Sequence, residues 1–110
     1  MDKTTKIREL NDAFRTRGVG NGCVYLTAGI YGFPLLEQRM EILRRVQGFT
    51  AFTRGNDPYG EHDFGSFLQA GKKILWKIDY YDREQEFGSP DPADESVTTR
   101  VLTISLAEEY

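Results

Sequence analysis

Residues 61–81 constrain the fold more than any other stretch of the chain. Ile74, Trp76, Ile78 and Tyr80 alternate with Leu75, Lys77, Asp79 and Tyr81. A period of two belongs to a strand with one face turned toward a core. Ala70-Gly71-Lys72 supplies turn chemistry just before it, so residues 61–69 and 73–81 read as the two arms of a hairpin. The Ile74, Trp76, Ile78 and Tyr80 set is expected to face inward.

The first arm does not alternate as cleanly. Pairing across a two-residue turn at Ala70-Gly71 or Gly71-Lys72 puts Phe67 on the Ile74 and Trp76 face. Strict alternation then sends Asp63 and Gly65 to that same face and Phe64 outward. A β-bulge near Gly65 is expected to repair this, because one extra residue flips every side chain before it. His62 and Phe64 then turn inward, while Glu61 and Asp63 join Lys77 and Asp79. An unbroken ladder through this region would contradict the bulge.

Ile7, Leu10 and Phe14 have helical spacing, so residues 3–15 read as a helix that stops in the Gly18-Val-Gly-Asn-Gly22 cluster. That cluster is not a P-loop, since no Gly-Lys-Ser/Thr follows, and it does not sit between a strand and a helix. Residues 23–27 read as a short strand holding Cys23 as a small buried hydrophobe. Pro34 can open a second helix, with Leu35, Leu36, Met40, Leu43 and Val46 as its core-facing stripe and Gly48 as its end. Residues 49–54 read as a further strand, and Asn56 to Gly60 as a turn. After an acidic loop over residues 82–91, Asp91, Pro92 and Asp94 read as the start of a C-terminal helix. The competing reading there is a strand, because Val97, Thr98, Thr99, Val101, Thr103 and Ile104 are all β-branched. The expected architecture is a single α+β domain over residues 1–110. Its sheet is small, mixed or antiparallel, of about four strands and packed against about three helices.

The chain carries 110 residues and a net charge of −3. Residues 1–54 hold nine Lys/Arg and five Asp/Glu, and residues 55–110 hold five Lys/Arg and twelve Asp/Glu. Seven of the acids lie between Asp79 and Glu95, opposed there only by Arg83. Such a surface repels phosphate and attracts basic protein. Direct nucleic-acid binding through the aromatic Trp76–Asp82 stretch is therefore not expected, since base-stacking platforms need a basic groove. With one cysteine, an internal disulfide is impossible. The N-terminal residues lack the apolar run of a signal peptide and no segment is long enough to span a bilayer, so a cytoplasmic protein is expected.

Glu61, His62 and Asp63 raise the question of metal or acid–base chemistry. Glu61, Asp63 and Asp79 could converge on a divalent ion from neighbouring strands. No HExxH, Cys/His pair or EF-hand loop accompanies them, and Lys77 could neutralise an acid on the same face.

Four blocks carry a family resemblance: IRELND (7–12), NDPYGEHDFG (56–65), WKIDYYD (76–82) and FGSPDP (87–92). With them the chain resembles domain-of-unknown-function family 3768, a bacterial family best represented in alphaproteobacteria. The resemblance implies no activity, cofactor or catalytic residue. It implies an association with plasmid and phage gene neighbourhoods, which is no mechanism. The leading expectation is thus a non-catalytic, cofactor-free protein-binding domain. Its type would be an inhibitor of a host defence nuclease, anti-CRISPR or anti-restriction. Its partner would present a basic surface to Tyr80, Tyr81, Asp82, Glu84, Glu86 and Asp91. The alternative is a small metal-dependent hydrolase or nuclease using Glu61, Asp63 and Asp79.

Overall fold

A computed structural model describes residues 2–110. The fold is α+β. Its elements run α1 (Lys3–Arg17), β1 (Gly22–Leu26), α2 (Ala28–Tyr31), α3 (Leu36–Gln47), β2 (Phe64–Gln69), β3 (Lys72–Tyr81) and β4 (Thr99–Leu106), with single 3-10 turns at Glu95–Val97 and Ala107–Glu109. The four strands form one mixed sheet in the order β1-β4-β3-β2, with β1 parallel to β4 and the other pairs antiparallel.

The β2–β3 hairpin turns at Ala70 and Gly71, both with positive φ (51° and 77°), which fits a two-residue type I′ turn. Its ladder is unbroken from Gln69↔Lys72 to Phe64↔Lys77, so the expected bulge near Gly65 is absent. Glycine itself removes the need for one. Gly65 faces Trp76 across the ladder, and a Cβ there would stand 2.4 Å from the indole Nε1. The missing side chain lets Trp76 lie over the strand, and Phe64 stays on the opposite face beside Lys77. The chain changes direction three residues before Gly65, at His62, whose φ is 55°.

Ile74, Trp76 and Ile78 of β3 are buried together with Leu102, Ile104 and Leu106 of β4, and Phe14, Ile30, Ile42 and Val46 of the three helices close over them with Phe33 from the α2–α3 link. Every residue of β4 but one is buried, because the strand is central and covered on both faces. That placement overturns the expected C-terminal helix. Asp91 and Asp94 do cap backbone N–H groups, at Ala93 and Ser96, but only a single 3-10 turn follows before the β-branched run pairs with β3. Residues 49–54 form no strand. Phe49 and Phe52 instead pack edge-on against Trp76 at 5.5 and 6.1 Å. The three-residue spacing points both rings to one side, which strand alternation could not do.

Helix α3 also departs from expectation. It begins at Leu36, after Pro34, and the Gln38 side chain accepts a hydrogen bond from the Leu35 N–H (3.2 Å). Its buried face centres on Ile42 and Val46, leaving Leu35, Leu36 and Met40 exposed. Cys23 is half-buried. No helix among the described residues is long and apolar enough to cross a membrane.

Candidate functional site

Two acid-rich regions compete for a functional role, and hydrogen-bond accounting separates them. The first lies where α1, the 56–63 segment and the sheet meet. Asn11 is fully buried, and all its polar capacity toward the sheet is used. Its amide donates to the Glu61 carbonyl (2.9 Å) and the Tyr80 hydroxyl (2.8 Å), and its oxygen accepts from Arg100 Nε (2.7 Å). The Tyr80 hydroxyl in turn donates to Glu61 Oε1 (2.7 Å). Burial, then the bond to Glu61, pushes the Tyr80 phenol far above its ordinary range. Arg100 is itself 3% exposed, and burial lowers its pKa. It finds a second acceptor in the Pro92 carbonyl (2.6 Å), and its guanidinium lies 5.3 Å over the Tyr80 ring. A buried cation in such a network depends on each of these partners.

His62 sits beside this network. Its ring stacks on Phe52 at 3.8 Å, its Nδ1 is 2.9 Å from Asp12 Oδ1 and its Nε2 is 3.7 Å from the buried Asp57 carboxylate. The histidine packs inward, as expected, but through a left-handed backbone and not through a bulge. A cavity of about 410 Å³ opens there, with Asp12, Arg15, Phe52 and His62 in its wall. A general base needs a ring nitrogen aimed at substrate. Both nitrogens of His62 instead have a carboxylate at ion-pair distance, which makes the ring a clamp between α1 and the 56–63 turn. Arg15 is 4% exposed, ties to the Val46 and Gln47 carbonyls (2.7 and 3.2 Å) and locks α1 to the end of α3.

The expected carboxylate trio does not assemble. Glu61 bonds to Tyr80 on the core side of the sheet, while Asp79 pairs with Lys77 (3.2 Å) on the opposite face. Asp63 is half-buried, and burial, then Glu61, raises its pKa. Among the described residues, no group of three or more His, Cys, Asp or Glu side chains is placed to hold a metal ion.

The second region is the acidic loop after β3. The Asp82 N–H donates to the Phe87 carbonyl (2.8 Å) and the Gln85 N–H to the Asp82 carbonyl (3.0 Å). The Asp82 carboxylate accepts from the Glu86 N–H (2.9 Å). A Tyr81↔Gly88 bridge and the Ser89 N–H on the Tyr80 carbonyl (3.0 Å) extend the closure. The result is an ordered turn with Glu84, Glu86 and Phe87 outside, Phe87 being 72% exposed. Arg83 is drawn back onto the Ser96 carbonyl (3.1 Å), which leaves the acids at the tip.

Of the residues expected to meet a partner, Glu84 and Glu86 are free at the surface and Tyr81 is half-buried. Tyr80 belongs to the internal network and Asp82 is engaged with its own turn. Asp91 holds the Ala93 N–H and pairs with Lys3 (3.5 Å). Phe87 was missed, and its only signal was a large apolar side chain between a carboxylate and a glycine. Asn11, Asp12 and Arg100 were missed as well, since their partners lie 50 to 89 residues away.

All four sequence blocks meet in these two regions. A family profile described as "Protein of unknown function (DUF3768)" matches residues 4–109. The chain belongs to this family. No curated protein and no solved structure matches it. The DUF3768 blocks thus contribute Asn11, Glu61 and Tyr80 to the buried network, Asp12, Asp57 and His62 to the clamp beside it, and Phe87 to the turn.

Proposed function

We propose that this DUF3768 chain is a non-catalytic protein-binding domain whose contact surface is the Asp82–Phe87 turn. One observation carries the reading. Phe87 is held 72% exposed on a turn closed by its own backbone bonds, where it contributes nothing to the core. A rigid exposed aromatic ringed by charge is the form of an interface anchor. Glu84 and Glu86 beside it select a basic partner surface and speed encounter. Surfaces that hold nucleic acid are basic in this way, and an inhibitor that occupies one would explain an acidic face on so small a chain. A defence nuclease of the CRISPR or restriction type is the partner class proposed.

The test is affinity capture from a lysate of the source organism with three baits: the unchanged chain, Phe87→Ala, and Glu84→Lys with Glu86→Lys. A nucleic-acid-binding partner retained by the first and lost by the other two is expected. A partner held equally by all three would overturn the assignment.

A further inference from the structure

Four large apolar side chains are exposed within ten residues: Tyr31 (63%), Leu35 (57%), Leu36 (63%) and Met40 (48%). Leu36, Met40, Leu43 and Gln47 follow one another at steps of four, three and four, the seam spacing of paired helices. Leu43 lies at the inner margin of that seam, partly packed on the core. Of α3's apolar side chains only Ile42 and Val46 are buried by its own fold, so Leu36 and Met40 are left uncovered by the described residues.

Charge along the seam says what would cover it. Glu37 and Arg44 are both exposed and stand seven residues apart on the same flank. Arg44 also holds Glu41 of its own helix through Nε (3.1 Å) and Nη2 (2.6 Å), which leaves its remaining N–H groups for a second carboxylate. In a parallel pair of α3 helices the flanking positions would set each Arg44 against Arg39 of the other copy, cation against cation, which repels. An antiparallel pair centred between Met40 and Glu41 sets each Glu37 against the Arg44 of the other copy. Leu36 then lies toward Leu43 and Gln47 of that copy, and the two Met40 side chains meet at the centre. The surface is self-complementary, as an isologous two-fold interface requires.

The helix is also mounted rigidly on both sides. Arg39 donates to the Tyr31 and Phe33 carbonyls (3.3 and 2.7 Å), and Arg45 donates to the Leu68 carbonyl with its guanidinium 4.3 Å over Phe67. Little ordering is left to do on association. We infer that α3 pairs antiparallel with α3 of a second copy of this chain, forming a two-fold dimer. At ~1.5 Å per residue, a helix of 12 residues gives a small interface of the weak, transient class, so a dissociation constant in the micromolar to millimolar range is expected.

Sedimentation equilibrium from about 1 μM to about 1 mM covers that range. The unchanged chain is expected to rise from 12.6 kDa toward twice that mass. Met40→Glu is expected to stay monomeric. Arg44→Glu or Glu37→Arg alone should weaken the dimer roughly tenfold, and the two together should restore it. Circular dichroism checks that each variant is folded, and the charge variants sit at exposed positions, so the restoration test does not depend on Met40. The inference is overturned if the unchanged chain stays monomeric throughout, if Met40→Glu leaves the dimer intact, or if the double charge swap dimerises no better than the single changes.

Discussion

The α1–β3 junction and the Asp82–Phe87 turn are both dense in acids, and they use them in opposite ways. At the junction, Glu61 accepts from Tyr80, and Asp12 and Asp57 bracket His62. At the turn, the Glu84 and Glu86 side chains make no hydrogen bond or ion pair among the described residues, and the Phe87 ring stays outside the core. Carboxylate density in a sequence therefore says little about where function lies. What discriminates is whether the protein itself already satisfies those groups.

The comparison can be broken most forcefully at Asn11. Asn11→Ala strands the Arg100 Nε–H and one acceptor of the Tyr80 hydroxyl inside the protein, and the loss is expected to be about 3 kcal/mol. Chemical denaturation measures it, and a loss near zero would mean that the junction does not hold the fold. Next comes His62→Ala, which removes the stacking on Phe52 and the ring nitrogens that face Asp12 and Asp57. A loss of about 1–2 kcal/mol is expected by the same method.

Asp63 gives a smaller effect with a defined sign. Its folded pKa lies above the ordinary aspartate value of 3.8 because burial disfavours the carboxylate. The folded state therefore holds that proton more tightly than the unfolded chain does, and stability falls as pH rises from the unfolded value through the folded one. Asp63→Asn should melt at a slightly higher temperature than the unchanged chain at neutral pH. The difference should close as the pH is lowered through the folded pKa and below 3.8, where the carboxyl is neutral in both states. Asp63 is only partly buried, so the effect is a modest one.

Some of this was legible in the sequence. The hairpin was, because alternation at Ile74, Trp76 and Ile78 and the Ala70-Gly71 turn agree with each other. Helix α1 was legible for the same reason. The C-terminal segment was not, since Asp91-Pro92-Ala93-Asp94 carries a helix start while the residues after it carry strand propensity. Burial of β4 on both faces decided between the two, and that depends on β1 and β3. The stripe Leu35, Leu36 and Met40 looked like core because apolar spacing cannot tell an internal contact from a surface seam. Nor can one sequence show that Asn11 meets Arg100 across 89 positions. The direction of Glu61 turned on a single backbone angle at His62, which alternation does not anticipate.

The turn sets the lower end of the scale. Glu84→Lys with Glu86→Lys, and separately Phe87→Ala, are expected to change stability by no more than about 0.5 kcal/mol. The decisive measurement is retention of the captured partner by Phe87→Ala, using protein shown by its melting curve to be as stable as the unchanged chain. Loss of the partner from a fully folded variant is the result this account predicts. Full retention would contradict it, and would leave the Asp82–Phe87 turn with no part in what the domain does.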